Sequence, residues 1–120
     1  MDALEIYEHL QRCVESKVPH VLVTLVQVRG SAPQDVGAKM VVTRNGLLCG
    51  TVGGGKIEAR SIQFAQNMIR DNTVHELCTW NLQRDIGMTC GGEVQLFFEG
   101  TMVANWNICI FGAGHVAQAL

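Results

Sequence analysis

The chain has 120 residues, a length suited to one modest domain, and its 48% apolar and 17% charged residues exclude a chain that is disordered as a whole. A net charge of −2 with no Lys/Arg run excludes a nucleic-acid or anionic-membrane surface. No stretch approaches the ~20 apolar residues of a membrane span, and Met1-Asp2-Ala3-Leu4-Glu5 is not a basic leader, so a cytoplasmic protein is expected.

Asp2 followed by Glu5 reads as a capping box, and Ala3, Ile6, Tyr7, Leu10, Cys13 and Val14 recur at helical spacing, predicting a first helix that Pro19 stops. Residues 21–26 (Val-Leu-Val-Thr-Leu-Val) are apolar on both faces, which predicts a central strand in a covered sheet. A loop follows, from Arg29 to Gly37. Asn45-Gly46 between the apolar runs 39–43 and 47–49 is a strong hairpin signal, because the turn it favours needs positive φ at both residues. The hairpin runs into Gly53-Gly54-Gly55, and a second helix is predicted over 56–70. Two further strands are predicted at 74–80 and 93–99, with a loop over 85–92. All thirteen glycines lie at Gly30 or beyond and none falls between Lys56 and Arg84, which agrees with this division because glycine costs a helix interior about 1 kcal/mol.

These elements predict an α/β domain (α+β being the alternative): a mixed sheet with one hairpin and two covering helices over residues 1–100. Residues 101–106 read as a linker. Residues 107–120 open with an apolar run and Gly112-Ala113-Gly114, a strand followed by G-x-G-x-x-A, as a dinucleotide-binding Rossmann unit begins. Its helix, second strand and ribose-binding acid would lie further on, so a nucleotide site is expected to be incomplete here.

Three glycine-rich loops could carry chemistry: Gly30-Ser31-Ala32-Pro33, Gly53-Gly54-Gly55 and Cys90-Gly91-Gly92. Glycine lets the backbone approach a ligand and lets successive N–H groups point into one concavity; each loop alone reads first as a tight turn, and three in one small domain point to a binding site if folding brings them together. The second also opens a helix, where free N–H groups favour phosphate. Glu58 reads structurally as half a capping box reaching back to Gly55, and functionally as a group that holds a ligand donor or fixes the glycine loop. Five cysteines, odd in number and with no C-x-x-C pair, suggest reduced thiols that are mostly buried. Cys90 stands apart, because it lies in a loop where following glycine N–H groups could stabilise a thiolate; an inert, half-buried thiol is the alternative. His9, His20 and His75 show no metal-ligand spacing.

Taken together, Gly30-Ser31-Ala32-Pro33, Gly37-Ala38-Lys39-Met40, Gly50-Thr51-Val52-Gly53-Gly54-Gly55 with Glu58, and Asp85-Ile86-Gly87-Met88-Thr89-Cys90-Gly91-Gly92 resemble the XdhC/CoxI family of molybdenum hydroxylase accessory proteins. Phe111-Gly112-Ala113-Gly114-His115-Val116 resembles the opening of that family's Rossmann domain. The resemblance implies a maturation chaperone rather than a catalyst. Such a protein binds molybdenum cofactor (molybdopterin) transiently, works with a cysteine desulfurase, and delivers the cofactor to an apo-molybdenum hydroxylase such as xanthine dehydrogenase. By motif match it assigns cofactor contacts to Ser31, Lys39, Gly53, Gly54, Gly55, Glu58, Cys90, Gly91 and Gly92, with Cys90 as the molybdenum or sulfur contact. Two other readings are an NAD(P)- or flavin-dependent oxidoreductase whose Rossmann half lies downstream, and an interaction module whose loops shape a dimer surface. An unpaired sheet edge would favour a homo-oligomer.

Overall fold

The structure is a computed structural model that describes residues 2–30, 34–88 and 91–102. Its elements are α1 (Ala3–Glu15), β1 (His20–Gly30), β2 (Lys39–Thr43), β3 (Gly46–Gly50), α2 (Gly55–Asp71), β4 (His75–Asn81) and β5 (Gly92–Thr101). The expected linker lies largely outside the described residues, as does the whole Rossmann-type opening. The strands form one sheet in the order β3-β2-β1-β5-β4. The α/β class with a hairpin and two helices is as expected, and every described pairing is antiparallel. The antiparallel sense follows from connectivity, since neither helix carries the chain between parallel neighbours.

α1 begins on the expected capping box: Asp2 accepts from the Glu5 N–H at 3.0 Å, and its own N–H donates to Glu5 at 3.4 Å. The helix ends at Glu15, four residues before Pro19. Lys17 turns into left-handed backbone (φ 56°), and the Val18 N–H closes onto the Cys13 carbonyl at 2.8 Å. Pro19 therefore follows the stop and does not make it.

β1 is the central strand, and period-two alternation sends Val21, Val23 and Leu25 fully into the core. A bulge at Val26 interrupts its pairing with β5, leaving Val26 38% exposed and turning Val28 toward the core instead. That bulge lets β1 continue to Gly30, beyond the expected end. The hairpin turn also departs from expectation. Arg44 and Asn45 form the turn, the Asn45 N–H is held by the Thr43 hydroxyl at 3.2 Å, and positive φ falls on Gly46 (116°) but not on Asn45.

α2 covers one face of the sheet. Ile57, Ala65, Met68 and Ile69 pack with Met40, Val42, Val94, Leu96 and Phe98, and Phe64 lies 4.7 Å from Phe98 between ring centroids. α1 covers part of the other face, where Ile6 and Leu10 meet Leu22, Val41 and Cys49.

Candidate functional site

The strand order decides where the glycine loops go. β1, β3 and β4 point the same way because each is antiparallel to β2 or β5. Their C-terminal ends, and hence the β1–β2, β3–α2 and β4–β5 connections, emerge at one end of the sheet.

Three sets of contacts bind these connections together. Gly30 pairs with Gly92, and a Cβ on Gly30 would stand 3.1 Å from the Gly92 Cα, so only glycine permits this approach. The Thr51 N–H donates to the Lys39 carbonyl at 2.9 Å, tying the β3–α2 connection to the start of β2. From α2, Lys56 Nζ donates to the Gly87 carbonyl at 2.8 Å and Arg60 to the Asp85 carbonyl at 3.2 Å. The 82–88 loop is further fixed by Met88 N–H to Leu82 O (2.9 Å) and by Leu82 N–H to Gly92 O (2.9 Å). The segment on either side of positions 89 and 90 is thus held between α2 and Gly30.

The sequence-derived site residues divide accordingly. Gly54 and Gly55 are exposed, with open space where a side chain would be, and Gly55 needs its positive φ of 51°. Gly53 is buried, and an added Cβ would press on Ile57 at 3.2 Å, so it is a packing position and not a contact surface. Gly91 is exposed and Gly92 half-buried beside Gly30. Ser31 and Cys90 lie outside the described residues. Lys39 is half-buried, its ammonium 3.4 Å from the Gly37 carbonyl. Lys39, Asp2, Tyr7 and Gln34 line a cleft of about 700 Å³ between α1 and the β1–β2 connection, which Gly37 also lines but Gly54, Gly55 and Gly91 do not. The structure therefore gathers the glycine connections and places Lys39 in a cleft beside them, shared with Gly37, Gly50 and Thr51.

The expected capping box at Glu58 is replaced by another arrangement. Gly54 is the N-cap, so Glu58 falls one residue too far along for that contact, and no side chain caps α2. Glu58 instead accepts from the Thr51 hydroxyl at 3.0 Å, while that hydroxyl accepts from the Gly53 N–H at 3.1 Å and also reaches the Gly53 carbonyl. This strut realises the other role expected of Glu58, fixing the glycine loop. Among the described residues no side chain bonds the first-turn N–H groups of α2, the condition for a helix end that receives an anion.

Thr51, Lys56 and Arg60 were missed by sequence reasoning. A cation in a helix's first turn opposes the macrodipole, so Lys56 carried a signal of a tertiary contact. Arg60 also sits 5.2 Å from the Trp80 ring, which fixes its reach toward Asp85.

Electrostatics within the site are modest. Hydrogen bonds from Arg84, followed by one from the Asn81 N–H, hold the Asp85 carboxyl below its usual range. Burial pushes the Cys13, Cys49 and Cys78 thiols up, leaving them protonated and poorly nucleophilic, as expected for most of the cysteines. Among the described residues no three His, Cys, Asp or Glu side chains are grouped to hold a metal ion, and no helix is long and apolar enough to cross a membrane.

The sequence model of the XdhC and CoxI family matches residues 13–79 of this chain. Over 81 residues the chain is 42% identical to the molybdenum cofactor insertion chaperone PaoD of Escherichia coli K12, covering 63% of this chain and 24% of PaoD. It is 27% identical over 120 residues to the uncharacterised protein YqeB of the same organism, covering 98% of this chain and 22% of YqeB. The chain thus spans about a quarter of the length of these relatives. A crystal structure described as a xanthine dehydrogenase from Bacillus halodurans superposes with a TM-score of 0.63 at 21% identity, over 82% of this chain and 32% of that one, and so shares its fold.

Proposed function

Because the chain belongs to the XdhC and CoxI family, we propose that it forms the cofactor-holding part of a chaperone that binds molybdenum cofactor and supports its delivery to an apo-molybdenum hydroxylase. The observation that carries this reading is the meeting of the three glycine-rich connections at one end of the sheet. A cofactor with a phosphate and a dithiolene-bound metal needs main-chain donors for its anionic groups and a soft ligand near its metal. The uncapped start of α2, with Gly54 and Gly55 open above it, suits the phosphate. Cys90 is assigned as the molybdenum or sulfur contact, in a loop that Lys56 secures at Gly87, with Gly91 and Gly92 as its main-chain nest. Ser31 is a further polar contact in the first loop. A cysteine desulfurase is the proposed source of the terminal sulfur. Backbone contacts of this kind hold without covalent commitment, as a carrier that must release its cargo requires.

The sheet ends in two edge strands, β3 and β4, and β4 presents Leu77 at 57% exposure. Unpaired main-chain groups on such edges suit pairing with a second copy, and a homo-oligomer is proposed on that ground.

Purification from molybdopterin-producing cells, followed by assay of bound pterin and molybdenum, tests the reading. The full-length protein is expected to carry about one pterin per chain, and this chain alone much less. Tight nicotinamide-dinucleotide binding by the full-length protein, with no pterin, would replace the chaperone by an oxidoreductase. The Cys90→Ala variant is expected to fold normally and to lose delivery to the apo-enzyme. Unchanged delivery would reduce Cys90 to a structural residue.

A further inference from the structure

The cleft of about 700 Å³ beside α1 borders the glycine loops at Gly37 and Thr51 but is not lined by Gly54, Gly55 or Gly91, and it has the size of an ordinary small-molecule site. One wall comes from the first turns of α1, with Asp2 and Tyr7. Gln34 and Lys39 line it from the β1–β2 side, and Gly50 and Thr51 also line it. The two walls carry opposite charge. Asp2 spends one carboxylate oxygen on the Glu5 N–H, which leaves acceptor capacity on the other. Lys39 makes only its long contact to Gly37 and joins no ion pair among the described residues. Tyr7 keeps 54% of its surface exposed, so its ring is available to stack on a flat ligand.

A simple anion does not suit this cleft, because the Asp2 carboxylate would repel it. A simple cation meets Lys39. The arrangement suits a planar heterocycle that offers adjacent N–H donors to a carboxylate and a ring carbonyl to an ammonium.

We propose that this cleft recognises the 2-amino-4-oxopyrimidine edge of a pterin, with Asp2 accepting from the ring N–H and the 2-amino group, Lys39 donating to the ring carbonyl, and Tyr7 against the ring face. The inference rests on the chaperone reading above and assigns the pterin end of the cargo, leaving its phosphate and metal to the glycine loops. Thr51 joins the two regions: it lines the cleft while its hydroxyl accepts from the Gly53 N–H. Guanine presents the same edge, so the test includes it.

The experiment is a titration of the full-length protein with molybdopterin, read by ligand fluorescence, for the parent and for Asp2→Asn, Lys39→Met and Tyr7→Ala. Asparagine keeps the helix cap and methionine keeps the aliphatic stem, so folding, checked by circular dichroism, is expected to persist. Asp2→Asn and Lys39→Met are each expected to weaken binding about tenfold, the usual order for losing a charge-assisted hydrogen bond. Guanosine is expected to compete and adenosine, which lacks the edge, is not. Molybdopterin bound equally by all variants would overturn the cleft while leaving the chaperone reading standing. Failure of the full-length parent protein to bind molybdopterin would overturn both. Tighter binding of guanosine monophosphate than of molybdopterin would overturn the pterin assignment.

Discussion

Gly50 shows how one residue can be dictated by its neighbours. Its φ is +80°, and a Cβ there would lie 2.3 Å from the Lys39 carbonyl oxygen and 2.8 Å from Ile6 Cδ1. Both the backbone conformation and the space therefore exclude a side chain. Gly50→Ala is expected to cost more than about 2 kcal/mol in urea unfolding, because backbone oxygen cannot move aside as a flexible side chain can. Thr51 next to it makes the strut to Gly53 and Glu58. Thr51→Val preserves shape but strands a half-buried carboxylate and a backbone N–H, so a loss of about 1–2 kcal/mol is expected. Thr51→Ser, which restores the hydroxyl, is expected to recover most of it. Asp85 titrates in the acid range. Its folded pKa is lowered by Arg84 and the Asn81 N–H, so its stabilising contribution is present above the ordinary carboxylate pKa and lost as pH falls through the lowered value. The urea midpoint of Asp85→Asn is expected to lie below the parent's at pH 7 and to converge on it as pH falls through the lowered carboxyl pKa.

At the scale of elements, α2 carries the clearest tension between stability and function. Its N-cap Gly54 has extended backbone (φ −111°, ψ 169°) and free space for a side chain, yet makes no capping hydrogen bond. Gly54→Asp is therefore expected to stabilise the domain, though only by a few tenths of a kcal/mol to about 1 kcal/mol, since glycine is itself a tolerated cap. The same carboxylate would occupy the N–H groups proposed for the cargo's phosphate and repel it. Weaker molybdopterin binding alongside a higher unfolding midpoint is the expected pair of outcomes, and unchanged binding would remove the start of α2 from the site. The other end of α2 needs no such choice. Asn72 adopts left-handed backbone, and the Thr73 N–H closes on Met68 at 2.9 Å.

Over the whole molecule, local patterns were legible and meeting points were not. The helices and strands could be read because their periods of 3.6 and two residues are written in the order of apolar side chains. α1, the central β1, the hairpin and α2 all appeared near their expected positions. The bulge at Val26 could not be read, because an apolar residue at that position satisfies either register until β5 pairs with it. The same holds for the site. The glycine motifs were visible as sequence, but Gly53 and Gly54 look alike there, and only packing against Ile57 separates the buried one from the exposed one.

The sequence by itself determined the fold class, the family and the glycine-rich loops, since each depends on residue types at short, regular spacing. The tertiary structure alone decided that those loops leave one end of an antiparallel sheet, that Glu58 supports Thr51 rather than capping α2, and that Lys39 lines a cleft beside α1. These depend on contacts between residues distant in the chain, such as Lys56 with Gly87, whose partners are chosen by strand order and not by any local preference.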